Sequence, residues 1–303
     1  MSLTPVIYKY NVQEKLGKGC FSSVFKGVHK TNNKEVAIKI ESDAAPLNML
    51  KRESKIISYL NKELSPINRW ITPTLLWYGR YGDHICMATT FYPKTLALYI
   101  ESIWTSNKPN ATIEISLICY QIIELFQYIH GAFILHCDIK PDNFMINDVG
   151  KVVLIDFGLA CLYVESCDTT KHRKNEQKEH IIGSPKYVSY FLHEGNMPAR
   201  RDDMISVGYL FATLFKIDLS WQKCDVSNIS DTQYPIYHIM HPHNIIRKRL
   251  KSPDHIFKDL KSNSLNKNTI HNYLIPYLEN VYKLENVETP DYYTLKGIFS
   301  TLY

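Results

Sequence analysis

Between residues 10 and 40 apolar and polar side chains alternate, and beyond residue 94 this rhythm gives way to longer apolar stretches spaced for helices. Alternation lays one face of an extended chain on a core, whereas a 3.6-residue spacing does the same for a helix. The change of period therefore predicts two differently built halves, an α+β chain. In the first half Gly17, Gly19, Gly27 and the Asn32-Asn33 pair mark turns of a small antiparallel sheet. Residues 47–60 interrupt it with Leu50, Ile56, Ile57 and Leu60 on one helix face, and after Pro73 an extended region runs from 75 to 90. The expectation is one domain over 1–303, with a small β lobe carrying one helix at about 1–90, a joint FYPK at 91–94 and a larger, mainly helical lobe at 95–303.

Within the second half, residues 113–135 are the most membrane-like. Glu114, Gln121, Glu124, Gln127 and His130 break this segment at intervals that leave an apolar stripe, which predicts a buried amphipathic helix. A polar loop at 136–143, a strand VVLI at 152–155 and an apolar helix at 204–215 follow. Residues 165–182 read as an exposed loop, and 222–270 show only weak periodicity.

Composition removes several classes of function. A chain of 303 residues with 45% hydrophobic content can bury a full core, so disorder is not expected. A net charge of +5, from 35 basic and 30 acidic residues, suits mild attraction to acidic partners and not a nucleic-acid coat. Seven cysteines without a C-x-x-C pair argue against a disulfide framework or a zinc site, and point to a reducing compartment. MSLTPVIYKY has no signal-peptide pattern and STLY no prenylation cysteine, so the expectation is an intracellular monomer, cytoplasmic or nuclear, without membrane attachment. The basic runs KHRK at 171–174 and RKRLK at 247–251 read as solvated surface, with nuclear import or acidic-substrate contact as the functional alternative.

Several short motifs carry chemistry. Gly17 and Gly19, in the turn GKGCFS, can bring backbone amides close to phosphate oxygens, although a tight hairpin also uses glycine. Lys39 ends the strand-like VAIK, within reach of phosphates. Glu53 shares the apolar face of Leu50, Ile57 and Leu60, and a carboxylate aimed at a core needs a cationic partner, for which Lys39 is the natural candidate. In HCDIKPDNF at 136–144, Asp138 can accept a hydroxyl proton, Lys140 can neutralise a transferred phosphoryl group, and Asn143 can bind magnesium. Asp156-Phe157-Gly158 adds a second magnesium ligand. His136 reads as a packed structural histidine, because the adjacent Asp138 fills the role of base. Taken together these spacings suit phosphotransfer from ATP with Mg2+ in one bilobal site.

The same residues give a family resemblance. The chain resembles the eukaryotic protein kinases, and among them casein kinase I. Its segment 183–209, GSPKYVSYFLHEGNMPARRDDMISVGY, is similar without a gap to that family's G-T-A-R-Y-A-S-I-N through S-R-R-D-D-L-E-S-L-G-Y. LGKGCFSSVFKG, EVAIKIE, ESK at 53–55, WYGRYGD at 77–83, LSWQ at 219–222 and PDYYTL at 290–295 extend the likeness over nearly the whole chain. The resemblance implies a nucleotide site from Leu16, Gly17, Lys18, Gly19, Cys20, Phe21, Ser22, Ser23 and Val24, the Lys39–Glu53 ion pair, a gatekeeper at Thr89 and a hinge of Thr90, Phe91 and Tyr92. It also implies Asp138 as base, Lys140 on the γ-phosphate, Asn143 and Asp156 on the metals, and Asp203 as the buried carboxylate that ties down the catalytic loop. A plain helix N-cap is the competing reading of Asp203. Lys140 in this loop implies Ser/Thr protein substrates, and Lys186 stands where the family has the arginine of an anion site.

Departures from the family matter as much. Ser22 replaces the third glycine of the phosphate loop, and Cys137 the arginine that clamps a phosphorylated activation loop or a primed substrate. Lys186 keeps a point charge but not a bidentate grip, and Lys223 is only a guess for the second anion-site lysine. The expectation is a kinase active without activation-loop phosphorylation and less dependent on priming, with a pseudokinase binding module as the alternative. Cys20, Cys86 and Cys161 read as inert thiols.

Overall fold

In the computed structural model, which describes residues 6–19, 22–45, 48–106, 110–165, 168–223 and 234–300, the alternating stretch becomes β1 (Val6–Ile7), β2 (Tyr10–Lys18), β3 (Ser22–His29) and β4 (Glu35–Ser42). On β4 the residues facing one way, Val36 and Ile38, join Tyr10, Val12, Cys86 and Ala88 in an apolar cluster. The opposite face carries Lys39 and Glu41. Glu41 determines where the next element starts: its buried carboxylate accepts the amides of Met49 (3.3 Å) and Leu50 (2.8 Å) at the N-terminus of α1 (Met49–Glu63). Asn48, in the N-cap position, makes no side-chain bond, so an acid from a neighbouring strand satisfies the orphan amides. Leu47, the expected first helical residue, lies outside the described residues.

The extended region at 75–90 is a hairpin of β5 (Leu75–Tyr81) and β6 (His84–Thr90), turned at Gly82 with φ 59°. The six strands run in the order β1-β2-β3-β4-β6-β5, all antiparallel neighbours. β7 (Lys94–Thr95) then leads into α2 (Leu96–Thr105), α3 (Ala111–Gly131) and β8 (Ile134–Leu135). After them come β9 (Phe144–Ile146) and β10 (Val152–Leu154).

The chain divides into two compact units. One unit takes residues up to Thr95 together with Phe144–Leu159; the other holds Leu96–Asn143 and everything from Ala160 onward. Phe144–Leu159 belongs with the sheet unit because β9 pairs antiparallel with β7 and β10 pairs with β9. The turn Phe157–Leu159 packs on α1 as well.

The second unit is mainly helical. α3 is long and apolar enough, by length and composition, to cross a membrane, but it packs against other helices and buries Ile115, Cys119, Ile122, Phe126 and Ile129. β11 (Cys161–Leu162) pairs with β8. The expected loop at 165–182 instead begins with a small hairpin of β12 (Val164–Glu165) and β13 (Asp168–His172), and its Ile181 is buried with Val188 and Leu192. α4 (Tyr190–His193) and α5 (Arg200–Leu214) follow. α5 is buried on nearly every side, as expected of a helix without an amphipathic pattern. Its N-terminus is secured by Asp202, which accepts the Ala199 amide at 2.9 Å; Asp203 lies inside the helix, which removes the N-cap reading.

The region of weak periodicity contains α6 (Pro242–Lys251) and α7 (Pro253–Ser262), each with proline in its first turn, where the missing N–H costs nothing. α8 (Lys267–Thr269), α9 (Ile275–Tyr282) and α10 (Tyr292–Ser300) complete the chain. The inward side of α6 is His243, Asn244, Arg247 and Lys251, so its helical spacing is real but carried by polar residues. This overturns the surface reading of RKRLK: Arg247 and Lys251 are buried, whereas Lys171, Arg173 and Lys174 of the other basic run are exposed.

Candidate active site

The candidate residues fall into two groups, one in each unit. In the sheet unit, Lys39 Nζ lies 2.7 Å from Glu53 Oε2 and 2.7 Å from Asp156 Oδ1. Burial opposes the charge of Lys39, but the two carboxylates outweigh it and hold the ammonium above lysine's ordinary pKa. Glu53 is pushed up to about 7 by burial, with Lys39 pulling the other way and Asp156 adding to the rise. One cation is thus shared by two carboxylates, of which Asp156 is the more exposed. Asp156 has a φ of 64°, a left-handed backbone immediately before the buried Phe157.

The glycine turn lies at the end of β2. The Gly19 amide donates to Ser22 O at 2.8 Å, while Cys20 and Phe21 lie outside the described residues. Leu16, Gly17, Lys18 and Gly19 are exposed; Ser22, Ser23 and Val24 are half-buried, and Val24 pairs across the sheet with both Gly17 and Lys39. Neither glycine has a positive φ, and a Cβ on Gly17 would meet nothing. Space around Gly17 therefore does not demand glycine there, although the β2–β3 pairing is irregular between Lys15 and Gly17. Thr89 is buried opposite Ala37, and Thr90 exchanges hydrogen bonds with Thr74. Phe91 carries the Lys26 ammonium 5.1 Å from its ring centre, and burial pushes the Tyr92 phenol up to about 12.

In the helical unit everything converges on Asp138. Its Oδ1 accepts from the Ser184 amide (3.1 Å) and hydroxyl (2.7 Å), and its Oδ2 from Lys140 Nζ (2.6 Å) and Asn143 Nδ2 (3.2 Å). Asn143 also donates to the Asp138 carbonyl at 2.7 Å, which directs its amide hydrogens to Asp138 and leaves its own carbonyl oxygen as an acceptor. The loop bearing Asp138 is fixed from behind by Asp203, which accepts the amides of His136 (2.8 Å) and Cys137 (3.0 Å). His136 is wholly buried. Asp203 is fixed in turn by His130, whose Nε2 lies 3.1 Å from Oδ2 and whose Nδ1 lies 2.5 Å from the Tyr292 hydroxyl. Burial lowers the His130 pKa against the pull of Asp203, so a neutral ring donates through Nε2 and accepts at Nδ1.

Three of these partners were not singled out from sequence. His130 looked like one polar interruption of an apolar helix, and Ser184 was one letter in a long family match. The third is Lys251, whose ammonium donates to Pro185 O (2.9 Å) and Val188 O (2.6 Å), sits 3.2 Å from His193 Nε2, and lies 5.2 Å and 5.5 Å from the ring centres of Tyr209 and Trp221. Trp221 Nε1 donates to the intervening Lys186 O at 3.0 Å. The segment after Ser184 is therefore held by its carbonyls, while the Lys186 side chain remains exposed. Ahead of Ser184, Gly183 has a φ of 101°, and a Cβ there would fall 2.2 Å from Cys137 O, so only glycine allows this close approach to the Asp138 loop. The Lys223 side chain lies outside the described residues.

In the helical unit a carboxylate aligned by hydroxyl, ammonium and amide donors is able to orient an acceptor hydroxyl. In the sheet unit a lysine shared between two acids is able to meet phosphates. The family model that matches this chain, over residues 10–272, is the protein kinase domain. By that match, which covers most of its length, the chain belongs to the protein kinase domain family.

Proposed function

We propose that the chain is a serine/threonine protein kinase of casein kinase I type that moves the γ-phosphoryl group of ATP to hydroxyls of protein substrates. The observation that supports this best is the four-donor cradle around Asp138, which aims one carboxylate beside Lys140 and Ser184. In this reading the acceptor hydroxyl gives its proton to Asp138 while its oxygen takes the γ-phosphoryl group and ADP leaves. Lys140 balances the charge that gathers there. Lys39, kept in place by Glu53, holds the phosphates of the nucleotide, and the amides around Gly17 and Gly19 close over them. The carbonyl oxygen of Asn143 and the carboxylate of Asp156 are hard oxygen donors of the kind magnesium takes, and they are the residues that would hold it. Magnesium bound there supplies neutralisation of phosphate charge.

Activity without activation-loop phosphorylation fits Cys137 in the arginine position, because Ser184 already bonds Asp138 and Lys251 with Trp221 already holds the following segment. Reduced dependence on primed substrates fits the single exposed charge of Lys186, which cannot grip a phosphate in bidentate fashion. Acidic substrates suit the net charge of +5, and seven cysteines without a C-x-x-C pair suit a reducing, intracellular compartment.

The test is transfer from labelled ATP with magnesium to dephosphorylated casein, with Asp138→Asn and Asp156→Ala as controls. Label on serine or threonine that disappears in both controls supports the reading. Folded wild-type protein that transfers nothing favours a pseudokinase acting as a binding module.

A further inference from the structure

Two cysteine thiols of the helical unit lie side by side, with Cys137 Sγ 3.8 Å from Cys161 Sγ. The pairing of β8 with β11, which sets Leu135 opposite Cys161, brings their backbones together. Cys137 comes two residues after Leu135, at a φ of 64°, immediately before Asp138. Its amide is bonded to Asp203 and its carbonyl lies against Gly183, so its backbone is fixed while its sulfur faces the second thiol. Cys161 is half-exposed and Cys137 is buried, which makes Cys161 the thiol a solute reaches first.

We propose that Cys137 and Cys161 are an oxidisable pair that a peroxide closes to a disulfide, in place of the inert thiol expected from sequence at Cys161. Hydrogen peroxide oxidises the Cys161 thiol to a sulfenic acid and leaves as water. The Cys137 sulfur then attacks the Cys161 sulfur, the S–S bond forms, and the sulfenic hydroxyl departs with the Cys137 proton as a second water. The two thiols together lose two electrons and two protons, which the peroxide receives. A disulfide spans about 2.05 Å between sulfurs, so the pair must close by roughly 1.8 Å. The bond pulls on the residue next to Asp138 and lowers phosphotransfer; this consequence rests on the kinase reading, whereas the disulfide does not.

The full chain is treated with hydrogen peroxide, its remaining thiols are blocked, and an unreduced digest is mapped by mass spectrometry. The expected product joins the Cys137 and Cys161 peptides with the loss of two hydrogens, vanishes with dithiothreitol and is missing from Cys161→Ser. Casein phosphorylation falls by about tenfold or more on oxidation and returns with dithiothreitol. Cys161→Ser keeps its rate through the same treatment. A wild-type chain whose two thiols stay free, oxidise singly or pair with other cysteines overturns the proposal, and so does a disulfide that leaves phosphotransfer unchanged. If untreated protein transfers no phosphate, the peptide map still decides whether the disulfide forms, and the failure belongs to the kinase reading.

Discussion

Lys39 and Lys251 are both withdrawn from water, yet opposite surroundings hold them. Lys39 lies between two carboxylates, which keep its ammonium above lysine's ordinary pKa despite burial. Lys251 is wholly buried among two backbone carbonyls, an imidazole and two aromatic rings, and burial, with Arg247 adding, pulls its pKa well below the ordinary value. The first lysine satisfies charge with charge and keeps part of one carboxylate open to solvent, an arrangement suited to exchanging partners when phosphates arrive. The second satisfies backbone acceptors and holds a loop in one shape. Under the proposed function the first lysine would serve the chemistry, while the second holds the segment that follows Ser184.

The largest effect is expected at Lys39. Lys39→Met removes the cation that would contact the nucleotide's phosphates, and we expect phosphotransfer to Ser/Thr to fall by about 10²–10³-fold while the fold persists, measured by casein labelling beside circular dichroism. Lys251→Met should do the reverse and act first on stability. Pro185 O and Val188 O lose their donor, at about 1–3 kcal/mol for each carbonyl left unsatisfied, so denaturant titration should show a clear loss. Gly183→Ala tests the other end of the same segment: its positive φ and the approach to Cys137 O predict a cost of about 1–3 kcal/mol together with lowered activity. An unchanged midpoint would mean that the segment does not need its contact with the Asp138 loop.

A smaller effect sharpens the Lys39 side. Burial raises the Glu53 carboxyl from its ordinary 4.5 to about 7, so the folded chain binds this proton more tightly than the unfolded chain. The stability it contributes is present in full below about pH 4.5 and is lost as pH rises through about 7. Relative to Glu53→Gln, the melting temperature of the wild type should therefore fall across this window; parallel pH profiles would contradict the assignment. The smallest effect is expected at the exposed basic run, where Lys171→Ala, Arg173→Ala and Lys174→Ala should each change stability by less than about 0.5 kcal/mol in the same titration.

What could be read from the sequence follows the same division. Glu53 stood out because a charge interrupted an apolar helix face, and the pattern itself demanded a cation. Strand alternation was equally plain, because β4 buries Val36 and Ile38 on one side only. α6 was illegible for the converse reason: its inward positions are occupied by His243, Asn244, Arg247 and Lys251, so helical spacing exists without hydrophobicity. Asp202 and Asp203 are adjacent and chemically alike, and only the start of α5 at Arg200 decides that the first caps the helix while the second reaches His136 and Cys137. The placement of Phe144–Leu159 rests on a three-residue strand pairing with a two-residue one, too short to leave a pattern.

Lys251, far in sequence from the Asp138 loop, holds the segment that follows Ser184, and under the proposed function it would act on the protein substrate and not on the nucleotide. Steady-state kinetics of Lys251→Met, at a temperature where the variant is folded and with casein and ATP varied separately, test it most directly. The expected result is a raised KM for casein with an unchanged KM for ATP. A raised KM for ATP, or wild-type values for both, would contradict it.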